Sequence, residues 1–297
     1  MSCQPHACST AIAPRRRIGP AINWLLLAVL AVSGFGQTVW ETQFTMAKAG
    51  SCRLQGPGLE SNVSSTQLSF EGTYRIPLPW PDWYFHLGLE ADQHAFTTNQ
   101  FGLSRLRGMA TPLGVEYFQS GQPVAELGLS PGFYYQDRIT LHALDMPVQA
   151  VSGIPLSKRW HGVVGVSNAR FTHHAIPIIG LVWEVDSQWR CDLIYPEPAI
   201  VHAGKNGEEW RFGGRLNGGG YLANTSTSSM RVEYSSYRLG LTWASTVNGA
   251  GWKTSLSIGV ELMRDLDFFE RNRRLHGSGA YYLEIQLDWN NREIRRT

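Results

Sequence analysis

The 297-residue chain is sparing with charge, at 17% Asp, Glu, Lys and Arg, and it holds only four cysteines. Cys3 and Cys8 fall within an N-terminal targeting segment, so the mature chain keeps Cys52 and Cys191. Two thiols permit one disulfide in an oxidising compartment, and their separation in sequence leaves a bridge and two separate thiols both open. Neither has a second Cys or a His at ligand spacing, so no zinc site is expected from them. No run of 18 apolar residues follows residue 36. That excludes a membrane-crossing helix from the mature chain, and if the chain crosses a bilayer it must do so as a closed barrel.

A basic excess is missing too. Residues 1–36 hold three arginines and no acid, so the mature chain is left with 23 basic and 24 acidic side chains. Such a balance argues against a nucleic-acid partner, and the run Arg292 to Arg296 reads as a solvated end. No internal repeat at a fixed period is present, which argues against a propeller.

What is there begins with Arg15, Arg16 and Arg17, followed by an apolar run from Ile22 to Val32. The run falls short of the roughly 20 residues of a spanning helix, and Ala31-Val32-Ser33 or Gly34-Phe35-Gly36 offers a small-x-small cleavage site. Residues 1–36 therefore read as a signal peptide cut near Gln37. Residues 37–65, with Gly56-Pro57-Gly58 and a serine-rich run, read as an N-terminal periplasmic linker or plug.

From residue 66 to 297 the dominant signal is period-two alternation. Leu68, Phe70, Tyr74 and Ile76 share one face against Gln67, Ser69, Glu71, Thr73 and Arg75. Trp83, Phe85, Leu87 and Leu89 alternate with Tyr84, His86, Gly88 and Glu90. Leu256, Ile258, Val260 and Leu262 alternate with Ser255, Ser257, Gly259 and Glu261, and Tyr281 through Trp289 runs against Glu284, Gln286 and Asp288. Weaker segments between Val115 and Trp243 bring the expected total to about 12 strands. Alternation alone leaves open whether the apolar rows face a core, as in a soluble sandwich or lipocalin-like barrel, or face lipid. Trp80, Trp83, Trp183, Trp189, Trp243, Trp252 and Trp289 sit near the ends of apolar rows, where an interfacial girdle would place them. Arg75, Glu90, Glu126, Arg238 and Glu261 share the opposite face, as suits a wet lumen.

The stretch Ile176-Pro177-Ile178-Ile179-Gly180-Leu181-Val182-Trp183, the turn Asp186-Ser187-Gln188, and Trp189 to Tyr195 with Pro196-Glu197-Pro198 resemble the central hairpin of a family of uncharacterised bacterial outer-membrane β-barrel proteins. Gly153-Ile154-Pro155-Leu156 and Arg159-Trp160 fit the same pattern. The resemblance spans roughly residues 66 to 290 and implies location and fold, with no catalytic box. One departure stands out, since many such barrels end on an aromatic and here Trp289 is followed by eight residues that are polar or charged except for Ile294.

Motifs with chemical content resolve poorly. Gly213 to Gly220 is glycine-rich but lacks the P-loop Lys and a following helix, so it reads as a flexible loop or hairpin turn. Gly165-Val166-Ser167-Asn168 resembles the Ser-Asn pair of barrel lipases and lipid A deacylases, yet Gly165 stands where those enzymes place a His. His161 is six residues away on a strand, roughly 20 Å, too far to take a proton from Ser167. His86, His142 and His202 remain as donors from other strands. His173 and His174 point to opposite faces if extended, a poor metal pair.

The sequence thus predicts an all-β protein, a single closed antiparallel transmembrane β-barrel in the cell outer membrane, acting as a passive channel or a structural or binding barrel. The alternatives are an outer-membrane acyl hydrolase and a secreted soluble β-sandwich or lipocalin-like protein. No catalytic, cofactor-binding or metal-binding residue and no cofactor are assigned. The expected partners are outer-membrane lipid, the outer-membrane assembly machinery and small solutes in the lumen. Two structural expectations follow: the Leu256 to Leu262 row faces outward, and long connections such as Asn217 to Arg231 gather at one end.

Overall fold

A computed structural model describes residues 39–119, 122–168, 170–171, 175–204, 207–224, 229–247, 251–271 and 273–291. Residues 1–36, expected to be a signal peptide, and also His173, His174 and the Arg292 to Arg296 run lie outside the described residues. Eighteen strand segments follow one another: β1 Val39–Gly56, β2 Leu59–Pro77, β3 Trp83–Phe96, β4 Arg105–Ala110, β5 Leu113–Gln119, β6 Gln122–Leu129, β7 Gly132–Tyr135, β8 Leu144–Asp145 and β9 Val148–Pro155. They continue as β10 Trp160–Asn168, β11 Ala175–Glu184, β12 Trp189–Tyr195, β13 Ala199–Ala203, β14 Glu208–Asn224, β15 Ser229–Val247, β16 Trp252–Phe268, β17 Arg273–Gly277 and β18 Ala280–Asn290.

Successive staves of the wall pair antiparallel, and the last returns to the first, with Glu41 to Ala49 of β1 opposite Asn290 to Tyr282 of β18. β4 with β5, β6 with β7, β8 with β9, and β17 with β18 are broken halves of single staves, so the sheet is a closed 14-strand antiparallel barrel. The expected count of about 12 is close to this. The hairpin of the family resemblance is present, β11 against β12 with Trp183 opposite Cys191.

Residues 39–65, expected to be a linker, instead form β1 and the first part of β2, joined by a turn at Pro57 and Gly58. The lipid-facing row of β1 is interrupted by Lys48 and Gly50, which hid its alternation. Asn217 to Arg231 is likewise not a long connection. β14 and β15 pair out to Asn224 opposite Ser229. The glycine run read as a loop lies inside β14. Gly218 and Gly219 adopt φ of +131° and +159°, and a Cβ on Gly220 would stand 2.1 Å from the Arg170 carbonyl oxygen. The glycines let the backbone of the β10–β11 connection press directly onto β14. The connections that are longest, 97–104 and 136–143, lie at the end away from the termini, whereas those at the terminus end span at most five residues.

Three breaks fall at prolines on adjacent staves, Pro112, Pro131 and Pro147. Proline cannot donate to a ladder, so each interrupts its stave. The prolyl carbonyls still accept, from Gly88 N–H at 2.7 Å, Thr111 N–H at 3.0 Å and Ser130 N–H at 2.9 Å. Beyond this line the wall leans over the mouth. Tyr135 of β7 lies beside Leu222 of β14 on the far side, and Gln136 N–H donates to Leu222 O at 3.0 Å.

The strict alternation resolves as the sequence predicts. Leu256, Ile258 and Leu262 are 41%, 54% and 46% exposed, while Ser255, Ser257 and Glu261 are buried inside. Trp252 to Leu262 is ten residues, roughly 33 Å of strand, and a tilt near 40° makes that about 25 Å of height, the apolar band of a membrane barrel. Every tryptophan from Trp40 onward stands at the rim that carries the termini. Cross-strand contacts chain them together: Trp160 stacks on Trp183 at 5.2 Å, Trp83 meets Tyr117 at 5.3 Å, Trp252 meets Trp289 at 6.5 Å, and Trp40 meets Tyr74 at 6.0 Å. A soluble sandwich would bury these rows.

Ile258 sits mid-row, so Ile258→Arg is expected to cost about 2–4 kcal/mol for folding into lipid vesicles. Denaturant titration in vesicles measures it. A cost near zero, as for any exposed Ile in water, would remove the lipid-facing assignment.

Candidate functional site: the charged lumen

Inside the barrel, the inward rows of β1 to β3 and β14 to β18 carry charge, and the chain pairs that charge in layers. Nearest the terminus rim, Arg75 on β2 donates from Nε to Glu116 Oε2 at 2.5 Å and from Nη1 to Glu41. His86 Nδ1 stands 3.3 Å from Glu116 Oε1. Farther in, Arg238 donates to Glu261 at 2.9 Å, to Glu284 at 3.0 Å and to Gln67 at 3.0 Å. Arg264 donates from Nε to the other oxygen of Glu261 at 2.9 Å and from Nη1 to Val63 O at 2.8 Å, and Arg215 donates to Glu284. Glu261 and Arg264 have no solvent exposure at all.

Glu261 and Arg264 share the interior only because β16 is irregular between them. Residues three apart on a regular strand face opposite ways. A register shift opposite Tyr237 and Arg238 inserts one residue, so Leu262 and Met263 both face outward and Arg264 turns back in. A second irregularity in β1, between Ala49 and Cys52, turns both of those residues inward and brings Gly50 O within 3.5 Å of Arg264 Nη1.

The third layer centres on Arg170, delivered by the β10–β11 connection. It donates to Asp92 at 2.5 Å and Glu90 at 2.5 Å on β3, while Tyr221 on β14 donates its hydroxyl to Asp92 at 2.7 Å. Its guanidinium lies 4.4 Å from the centre of the Tyr134 ring, a cation–π contact. Arg170 thus spans the lumen from β14 to β3. Beyond this layer the interior is apolar, packed with Leu54, Val63, Leu106, Val232, Leu266 and Leu275 among others. On the terminus side three cavities of about 310, 310 and 200 Å³ all border Gln43, their linings running from Asn290 up to Arg170 and outlining a polar vestibule.

Of the residues weighed in the sequence, Arg75, Glu90, Arg238 and Glu261 do line the lumen, and each belongs to one of these layers. Ser167 lies in β10 between Gln149 and Ile176. The histidines considered as its donors stand elsewhere: His86 at Glu116, His142 in a short 3₁₀ turn, and His202 4.4 Å from Trp189. Cys52 and Cys191 are both free, one in the apolar mouth and the other near the tryptophan rim. Arg170 and Arg264 carry no alternation signal and were legible only through the connection and the bulge that aim them.

Replacing Glu261 with Gln leaves Arg238 and Arg264 facing a neutral amide in a dry layer. The expected loss of stability is about 3–5 kcal/mol, read from urea titration of the folded barrel in micelles, and a loss under 1 kcal/mol would mean that water reaches the layer.

No protein-family model matches the chain, and no curated protein matches it. Among solved structures it is similar to an outer membrane channel from Pseudomonas putida F1, with 10% identity over 85% of this chain and 94% of that one, at a TM-score of 0.44. It is also similar to a deletion mutant of the TodX monoaromatic hydrocarbon channel, with 8% identity over 85% of this chain and 90% of that one, TM-score 0.47. A mutant porin of Rhodopseudomonas blastica aligns at 9% identity over 86% of this chain and 99% of that one, TM-score 0.32. At such identities and scores the functional reading rests on the geometry of the lumen.

Proposed function

We propose that this protein is an outer-membrane channel of the passive kind, with a polar vestibule opening toward the periplasm and a closed outer mouth. The observation that carries this reading is the pairing of a lipid-suited exterior with an interior whose charged side chains line a succession of cavities, each bordering Gln43, up to Arg170. A purely structural barrel has no need of a lined vestibule. A soluble binding protein would place its apolar rows inside.

The terminus rim faces the periplasm in this reading, since short turns belong there and longer connections outside. The closed state is held by Arg170, whose ion pairs to Asp92 and Glu90 cross the bore. Passage needs that side chain and the apolar packing beyond it to move aside, and nothing in the arrangement requires chemistry on the solute.

The test is single-channel recording in planar bilayers with Arg170→Ala beside the unaltered protein. The unaltered barrel is expected to conduct weakly and in brief openings, and the variant to conduct several-fold more with longer open times. Silence from both proteins, with heat-modifiable migration proving both folded, would sink the channel reading.

A further inference from the structure

The layer nearest the rim holds more negative charge than its one arginine neutralises. Arg75 is flanked by Glu41 and Glu116. One strand farther on, Glu126 of β6 lies directly opposite Glu116 of β5, a like-charge cross-strand pair of the kind that destabilises a sheet. Glu126 has no ion-pair partner among the described residues. Three carboxylates against one guanidinium leave this stretch of wall at minus two, and Glu71 on the same inward row of β2 adds to the excess.

His86 supplies a different kind of donor in the same place. One imidazole nitrogen of His86 and one oxygen each of Glu116 and Glu126 lie within 4.8 Å of one another. The His86 side chain is 7% exposed. Its Nδ1 is buried with no hydrogen-bond partner, since the 3.3 Å approach to Glu116 misses hydrogen-bond geometry. The ring has room because Gly114 and Gly128 face it: a Cβ on Gly114 would stand 2.8 Å from the imidazole Cε1. A buried imidazole nitrogen without a partner costs free energy. Two facing carboxylates add repulsion to that cost.

We infer that His86, Glu116 and Glu126 form a binding site for a divalent cation of the zinc class on the lumen wall. One nitrogen and two carboxylate oxygens are a donor set that suits a tetrahedral ion keeping a water as its fourth ligand, with the side chains drawing in to reach it, whereas calcium takes six to eight oxygens. The ion takes an imidazole nitrogen of His86, relieves the Glu116–Glu126 pair and offsets two of the excess negative charges. Arg75 donates to both oxygens of Glu116, from Nε to Oε2 at 2.5 Å and from Nη2 to Oε1 at 3.2 Å, and serves as the outer-shell partner that orients a ligating carboxylate. The site ties β3, β5 and β6 together just on the terminus side of the proline line. It does not depend on whether the lumen conducts.

The measurement is equilibrium competition for Zn²⁺ against a chromophoric chelator, using the full barrel refolded in micelles and stripped with EDTA. The expected result is one saturable Zn²⁺ per barrel, weakened at least tenfold by His86→Ala and by Glu126→Gln, and untouched by His161→Ala at the exposed His161–Glu184 pair. Glu126→Gln removes a repelling charge, so it keeps the fold, and heat-modifiable migration verifies that for each variant. Absence of saturable binding to the unaltered barrel, or equal binding by His86→Ala and Glu126→Gln, overturns the site. Displacement of Zn²⁺ by equimolar Ca²⁺ or Mg²⁺ overturns the zinc-class assignment.

Discussion

Closure of β1 onto β18 is the constraint on which the rest depends. Nine residue pairs join the two strands, and without them an 18-residue and an 11-residue edge would stand open. In hydrocarbon each unpaired N–H or C=O costs several kcal/mol, so an open sheet of this composition has no stable place in a bilayer. Closure also creates an inside. Charged residues on the inward rows meet partners across the bore only because the wall returns on itself: Arg238 on β15 reaches Gln67 on β2, and Arg170 reaches β3.

Burial of those charges is then a question of pairing. Removing an arginine and a glutamate from water is expensive, and mutual attraction offsets the cost only where the remaining donors and acceptors are also filled. The Glu261 layer meets that condition. Each oxygen of its carboxylate takes a different arginine, and Arg264 places a further N–H on the Val63 carbonyl beside the irregular stretch of β1. The two backbone irregularities therefore serve one purpose: the first turns Arg264 inward, and the second supplies carbonyls to receive it.

Much of the wall was legible in the sequence because a membrane barrel writes its two faces in alternate residues. The four clean rows, the tryptophans at their ends and the hairpin from Ile176 to Tyr195 all stand where alternation put them. What was not legible follows from what alternation cannot encode. β1 was missed because its outward row carries Lys48 and Gly50, which blunt the pattern. The glycine run in β14 looked like a loop because glycine reports missing side chains, and here the missing side chains make room for another segment's backbone. Alternation puts Glu126 on the lumen face and His86 on the polar face of its strand, and His86 is also a candidate donor for Ser167. Their meeting with Glu116 depends on cross-strand register, fixed by pairing and not by local sequence.

Register also explains why the two ends of the barrel differ. β13 is five residues long and covers only Glu209 to Gly213 of β14. Above that point the edge of β14 is met by Arg170 and Phe171, the Arg170 side chain lying against Gly219 and its backbone against Gly220, and Phe171 N–H donates to Asp145 at 2.5 Å. One segment therefore fills a gap in the wall and presents a guanidinium to Asp92 and Glu90. Its position is set by contacts on the β14 side and its charge is matched on the β3 side, so neither the wall repair nor the ion-pair layer can shift alone. The Asp92–Tyr221 hydrogen bond closes the loop between the two sides. A side chain added at Gly220 would push on the Arg170 backbone and reach the carboxylates of β3 through it, which makes the glycine run part of the charged lumen as well as part of its wall.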